Sequence, residues 1–319
     1  MTYDGARSRV VAFSGGVGGA KLASGLANIL DGDALTVVVN TGDDFEHLGL
    51  TVCPDIDSVV YALSGKNDTQ RGWGRAGETW QFMAALKELS DQSWFQLGDR
   101  DLAMHVYRSW RLHAGARLST VTAEICGKLG IRSRVLPMSD ELVRTLVHTD
   151  EGVLEFQRYF VARRAGPRVT GFEFSGCERA RPPAGSEEFV NHDRLAAIVI
   201  CPSNPFVSIR PILAIDAWTR WLRARSCPVV AVSPFVGRQA LKGPAAKMIR
   251  ELGMEPTTLE LVKIYGDLVD AWIIDDADME DVANVEAAGV RCFATATVMH
   301  GVSEQARLAR KVLEVAADV

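Results

Sequence analysis

No run in the 319-residue sequence approaches the roughly 18 uninterrupted apolar residues of a membrane span. The opening MTYDGARSR offers no apolar core of a secretory signal, so a cytoplasmic protein with no membrane partner is expected. Basic charge is not in excess either. Lys and Arg total 35 against 40 Asp and Glu, a formal net charge of −5, which argues against nucleic acid as a partner because that binding asks for a basic face. The six cysteines (Cys53, Cys126, Cys177, Cys201, Cys227 and Cys292) are scattered without a CxxC spacing, which points away from a zinc site or a disulfide framework. No internal repeat stands out. The remaining composition, 47% hydrophobic and 24% charged, is that of an ordinary soluble enzyme with length enough for a large core.

Apolar, β-branched runs that end in polar or Gly/Pro loops recur at residues 10–13, 35–39, 196–200, 228–232 and 271–274. Strands apolar on both sides suit a parallel sheet covered on both faces, and helical periodicity fills the gaps at 21–30, 79–89, 102–114, 119–129 and 240–252. The fold class read from this is α/β, a doubly wound, mainly parallel Rossmann-like sheet forming a single domain over residues 1–319. Between about Met138 and Asn191 the pattern changes to loose alternation and then to the charged, Pro-rich loop ERARPPAGSEEF. That stretch reads as an insertion or small subdomain, a candidate lid.

The strongest single signal is VVAFSGGVGGAKLASGLANIL at 10–30, an apolar run, then Gly15, Gly16, Gly18 and Gly19, then an amphipathic helix opening near Ala20. Such a loop exposes backbone N–H groups at the positive end of a helix and lets an anion approach without a Cβ in the way. A tight turn without a ligand is the plain alternative. Neither standard nucleotide fingerprint is present, because Lys21 follows Ala20 and precedes Leu22 where a Walker loop has Gly-Lys-Ser/Thr, and it stands where a dinucleotide loop has its third glycine.

In an open α/β sheet the site lies at the carboxyl ends of the strands. After the second strand come Asn40-Thr41-Gly42-Asp43-Asp44 and then Cys53-Pro54-Asp55-Ile56-Asp57. Aspartates beside a phosphate cradle provide the hard oxygen ligands that Mg²⁺ requires, although helix capping is an equally physical use for them. Leu97-Gly98-Asp99-Arg100-Asp101 opens a helix carrying His105 and Arg108, and an Arg held by Asp suits phosphate or an oxygen-rich ring edge. Further strands end in Pro202-Ser203-Asn204, Ser233-Pro234 and Lys242-Gly243-Pro244, turns able to line a nucleotide pocket. Trp73 and Trp80 flank RGWGRAGETW and offer stacking surfaces for a flat ring, or core packing.

Taken together, FSGGVGGAKL, TVVVNTGDD, PDIDSVVY, LGDRD with His105, LPMSD, EGVLEFQRYFV, PSNPFVSI, AVSPFVG and GPAAKM, in this order from residue 10 to about 250, resemble the 2-phospho-L-lactate transferase family of coenzyme F-420 biosynthesis. The resemblance implies a Mg²⁺-dependent enzyme, a homodimer. It moves a phosphorylated three-carbon acid (phospholactate, phosphoenolpyruvate or 3-phosphoglycerate) from a GDP-linked donor to the ribityl hydroxyl of 7,8-didemethyl-8-hydroxy-5-deazariboflavin and releases GMP. Carried onto matching positions, Gly15, Gly16, Gly18, Gly19, Lys21, Ser203, Asn204 and Ser233 face the donor. Asp43, Asp44 and Asp57 are the metal and catalytic carboxylates. Asp57, Trp73, Asp99, Arg100, His105 and Met138 lie toward the acceptor. GGVGGAK and TGDD depart from the GGTGTPK and TAED of archaeal members, which leaves the choice of acid open. Two alternatives are a non-catalytic nucleotide sensor and a nicotinamide-dependent oxidoreductase; against the latter, Asn40 rather than an acidic residue closes the second strand. Asp57→Asn is expected to keep fold and melting behaviour while losing turnover.

Overall fold

A computed structural model describes residues 9–190 and 195–319. The MTYDGARSR opening, apart from Arg9, and the Asn191 end of the expected insertion lie outside the described residues.

Seven parallel strands form the central sheet in the order Arg291–Ala294, Ala271–Ile274, Val229–Val232, Leu195–Ile200, Arg9–Ser14, Leu35–Val39, Arg134–Pro137. The register fixes the alternation: Phe13 pairs with Val38 and Ile200. Val11 and Phe13 join one buried cluster while Val10 and Ala12 join another, so the sheet carries a core on each face, as a doubly wound fold requires. On one face the first helix, Gly16–Ile29, crosses the C-terminal helix Val302–Asp318 so closely that a Cβ on Gly25 would lie 2.3 Å from the Gln305 carbonyl oxygen.

All five expected strands are present. Two that periodicity missed, Arg134–Pro137 and Arg291–Ala294, are the sheet's edges, where charge and proline are tolerated and the apolar signal is weak. Helices Gln81–Leu89, Asp99–His113 and Leu118–Lys128 fall close to expectation, but the helix expected over 240–252 is shorter, Ala245–Glu251. A small hairpin, Phe235–Val236 with Gln239–Ala240, takes the residues before it.

The inserted stretch folds as an antiparallel sheet, Gly152–Glu155, Arg144–Thr149 and Val169–Ser175. Its Val143, Val147, Tyr159 and Val169 are buried in the same cluster as Phe206 and Ile212, and the Phe172 ring stacks on Phe206 at 5.2 Å. The insertion thus shares its core with the body of the protein.

Candidate functional site

The chain adds strands in one direction from Arg9–Ser14 to Arg134–Pro137, then returns to place Leu195–Ile200 on the other side of the first strand. The crevice of such a sheet opens at that reversal, and here the glycine segment meets Pro202-Ser203-Asn204. The glycines do not form a separate loop. Gly15 caps the helix and Gly16 through Gly19 are its first turn, four residues earlier than the periodicity suggested. Crowding is the reason. A Cβ on Gly15 would stand 2.5 Å from Asp55 Oδ2, one on Gly18 2.4 Å from the Pro202 carbonyl oxygen, and one on Gly19 2.6 Å from Ser203 Oγ. Gly16, at φ +64°, faces open space. The Gly15 N–H donates to Ser203 Oγ (3.2 Å) and the Gly16 N–H to Asp55 Oδ1 (2.6 Å). Val17 and Gly18 keep N–H groups that helix geometry leaves without intrahelical partners.

Lys21 extends from this helix and donates to the Met299 carbonyl at 2.7 Å. Burial, and then the charge of Lys242, lowers its pKa.

Asn40 organises the second strand's end. Its amide nitrogen donates to Asp43 Oδ1 (3.0 Å), Asp55 Oδ2 (2.9 Å) and the Val207 carbonyl (3.1 Å), while its oxygen accepts the Gly42 N–H (2.8 Å). Gln157, from the insertion, donates to Asp43 Oδ2 at 3.1 Å. Asp43, Asp44 and Asp55 are all buried. Burial foremost, then the charges of Asp55 and Asp44, pushes the Asp43 carboxyl well above the usual range. Burial raises Asp44 to about 8 against the opposing pull of the Cys53 thiol, Arg144 and Arg108. Asp55 rises to about 6 for the same first reason, against its bonds from Asn40 and Gly16. Asp44 Oδ1 has no hydrogen-bond partner, and neither has Thr41 Oγ1. Both residues line a cavity of about 230 Å³, with Thr51, Arg117, Asp140 and Arg144 on other walls.

Asp57 behaves differently. Its two oxygens take the guanidinium fork of Arg108, fully buried at 1% exposure, with Arg108 Nη1 at 3.2 Å and Nη2 closer. His105 Nδ1 lies 3.6 Å from Asp57 Oδ2 and His105 Nε2 3.3 Å from Asp101 Oδ2, and the Tyr61 hydroxyl donates to Asp101. Asp57, Asp101 and His105 have the mutual reach of a metal-ligand set, but Arg108 supplies the positive charge there. Asp57 is therefore ion-paired, whereas Asp43 and Asp44 form no ion pair among the described residues.

The remaining expected residues are dispersed. Asn204 caps the turn that follows it, accepting from the Phe206 and Val207 N–H groups, and Ser233 accepts from the Phe235 N–H and the Thr258 hydroxyl. Asp99 caps helix Gln81–Leu89 through the Gln81 and Phe82 N–H groups, while Glu78 returns the favour to Arg100 and Asp101 at 2.7 and 2.8 Å. The Arg100 side chain is exposed, and Trp73, 47% exposed, carries the Arg71 guanidinium 5.0 Å from its ring. Met138 is fully buried and accepts from Trp218 Nε1 through its carbonyl, so its side chain contributes to the core. Sequence reasoning passed over Asn40, Gln157 and Arg108 as site residues and weighed Asp55 only as one of the aspartates of the strand-end loops. Asn40 and Asp55 stood in the right loops, whereas the distant Gln157 left no local signal.

A helix opened by glycines at the reversal of strand order, with buried carboxylates on the adjoining strand end, defines a Rossmann-like α/β protein with a switch-point site. Residues 10–314 match the family model described as 2-phospho-L-lactate transferase CofD. The chain belongs to this family of transferases. It is 42% identical over 318 residues to a phosphoenolpyruvate transferase of Kitasatospora aureofaciens, covering 98% of each chain. It is 35% identical to a 2-phospho-L-lactate transferase of Methanosarcina mazei, covering 96% of this chain and 99% of that one. A solved structure of a UPF0052 family member from Bacillus halodurans shares the fold, with a TM-score of 0.64 at 16% identity over 96% of this chain and 99% of its own.

Proposed function

We propose that the protein transfers a phosphorylated three-carbon acid from a GDP-linked donor to the ribityl hydroxyl of 7,8-didemethyl-8-hydroxy-5-deazariboflavin in coenzyme F-420 biosynthesis. Phosphoenolpyruvate is the preferred acid in this reading, because relatives named for it reach 42% identity over nearly the whole chain. The observation that supports the site assignment is the packing of Asp43 and Asp44, at the second strand's end, near Asp55 and the glycine-opened helix, their carboxyls all raised first of all by burial.

Buried carboxylates that form no ion pair among the described residues fit Mg²⁺, which Asp43 and Asp44 would hold, the unpaired Asp44 Oδ1 being the available oxygen. Bound there, the ion would neutralise charge on the pyrophosphate oxygens. The Val17 and Gly18 N–H groups and Lys21 bind the donor phosphates, and Asn40 fixes the orientation of Asp43. The acceptor oxygen forms a bond to the phosphorus nearer the organic acid. The bond from that phosphorus to the bridging oxygen breaks, GMP leaves with that oxygen, and the hydroxyl proton passes to solvent. Positioning and charge neutralisation supply most of the rate, as in phosphoryl transfer generally. The same reading includes a cytoplasmic homodimer, which light scattering on the eluting protein checks.

Asp44→Asn tests the assignment. It should lose about 10²- to 10³-fold in turnover with its melting temperature at or above that of the wild type, since a raised carboxyl is removed. Turnover equal to wild type would sink it.

A further inference from the structure

Thr41 and Asp44 form one wall of the cavity of about 230 Å³, and each carries a buried oxygen, Thr41 Oγ1 and Asp44 Oδ1, that has no hydrogen-bond partner. Arg144 lines the same cavity. Its backbone is fixed against the acidic turn, because the Thr145 N–H donates to the Gly42 carbonyl at 2.6 Å where strand Arg144–Thr149 begins. The half-buried Arg144 guanidinium donates through Nη1 to the Val143 carbonyl at 3.1 Å and forms no ion pair among the described residues, so most of its fork is unspent. Arg117, exposed at the start of helix Leu118–Lys128, is a second lining cation without an ion pair among the described residues.

The other acidic residues of the lining are engaged elsewhere. Asp140 accepts from the Ser119 N–H (2.7 Å) and hydroxyl (2.9 Å), and Glu141 accepts from the Ser139 hydroxyl and the Arg181 N–H. Apart from Asp44, the carboxylate assigned to Mg²⁺, the charge left on the walls is that of the two arginines. Leu112, Leu118 and Leu142 add an apolar side. A guanidinium fork, an orphaned hydroxyl and an apolar wall are what a short carboxylic acid needs. The volume agrees, since it falls below the roughly 300–1,000 Å³ of pockets for drug-sized ligands and is too small for a tricyclic ring with a ribityl chain. A run of contacts joins this cavity to the glycine-opened helix: Asp44 adjoins Asp43, Asn40 bridges Asp43 and Asp55, and Asp55 accepts the Gly16 N–H.

We propose that the cavity is the subsite for the transferred three-carbon acid, whose carboxylate is bound by the Arg144 guanidinium and the Thr41 hydroxyl. The inference rests on the donor reading above and deepens it: Arg144 and Thr41 recognise the group by which the donor differs from GDP.

Calorimetric titration in the presence of Mg²⁺ tests it, with three ligands: GDP, the phospholactate-linked GDP donor, and the ethyl ester of GDP at its outer phosphate, which lacks the carboxylate. Wild type should bind the phospholactate donor at least about tenfold more tightly than either of the others. Arg144→Met should bring all three to the affinity of wild type for GDP. Thr41→Val should remove part of the margin, and Arg144→Lys, a point charge without the fork, should keep part of it. An undiminished preference for the carboxylate-bearing donor in Arg144→Met, or equal wild-type affinity for that donor and the ethyl ester, would overturn the subsite and leave the donor reading standing. Equal losses of GDP and donor binding in Arg144→Met would overturn it too, because the arginine would then serve the fold or the nucleotide. Failure of wild type itself to bind GDP would overturn the donor reading and this inference with it.

Discussion

Asp57 and Arg108 seal a full positive charge and a full negative charge inside the protein, and each is the other's compensation. Asp57→Asn, read from sequence as a silent change in stability, instead leaves a buried guanidinium without its counter-ion. The expected cost is about 3–5 kcal/mol, read as a lower urea midpoint, and a double change to Asp57→Leu with Arg108→Met should recover most of it because both buried charges are removed. Asp44 and Asp55 set the pH response. Their folded pKa values, about 8 and about 6, stand above the unfolded carboxylate value. The folded state therefore binds protons that the unfolded state has released, so this stabilising contribution is full below about pH 4 and is lost as pH rises through about 6 and then 8. The metal-free protein should melt at progressively lower temperature from pH 5 to pH 9. Mg²⁺ should raise the melting temperature more at pH 8 than at pH 5.5, and Asp44→Asn should flatten the upper part of the decline. A melting temperature insensitive to Mg²⁺ at pH 8 would contradict the assignment of Asp43 and Asp44.

The first helix shows how a glycine cluster is shared between packing and ligand. Gly18→Ala would drive a Cβ into the Pro202 backbone carbonyl, separating the helix from the switch-point turn, and is expected to cost about 1–3 kcal/mol together with GDP affinity. Gly127→Ala is the opposite case. It lies exposed in helix Leu118–Lys128 with open space at its Cβ, so the same substitution should stabilise by about 0.5–1 kcal/mol, and thermal melts of the two variants should move in opposite directions. Central strands were legible because apolar residues on both faces leave an unbroken run, as in Leu35–Val39. Edge strand Arg134–Pro137 was not, since half its residues face the rim and look like loop. The early start of the first helix was hidden because Gly16, Gly18 and Gly19 are poor helix formers alone, and only the neighbouring Pro202 and Ser203 explain why nothing larger fits. Candidate residues in the strand-end loops of Asp43, Asp44 and Ser203 were legible from position alone. The role of Asp57 was not, because its partner Arg108 sits 51 residues away on a different helix.

The sheet reversal brings together segments far apart in the chain: the glycine helix, the acidic turn after the second strand, the Ser203 turn 188 residues from Gly15, and Gln157 of the insertion. That convergence gathers buried carboxylates from separate segments at the carboxyl edge of the sheet, in a chain that matches a transferase family over residues 10–314. Transfer to a deazaflavin is tested by mass spectrometry of reactions containing the deazariboflavin, Mg²⁺ and, in parallel, the phosphoenolpyruvate-, phospholactate- and 3-phosphoglycerate-linked GDP donors. A product carrying one phosphorylated acid is expected, formed with an equal amount of GMP, only with Mg²⁺ and fastest from the phosphoenolpyruvate donor. No product from any donor, in a folded protein that binds GDP, would contradict it.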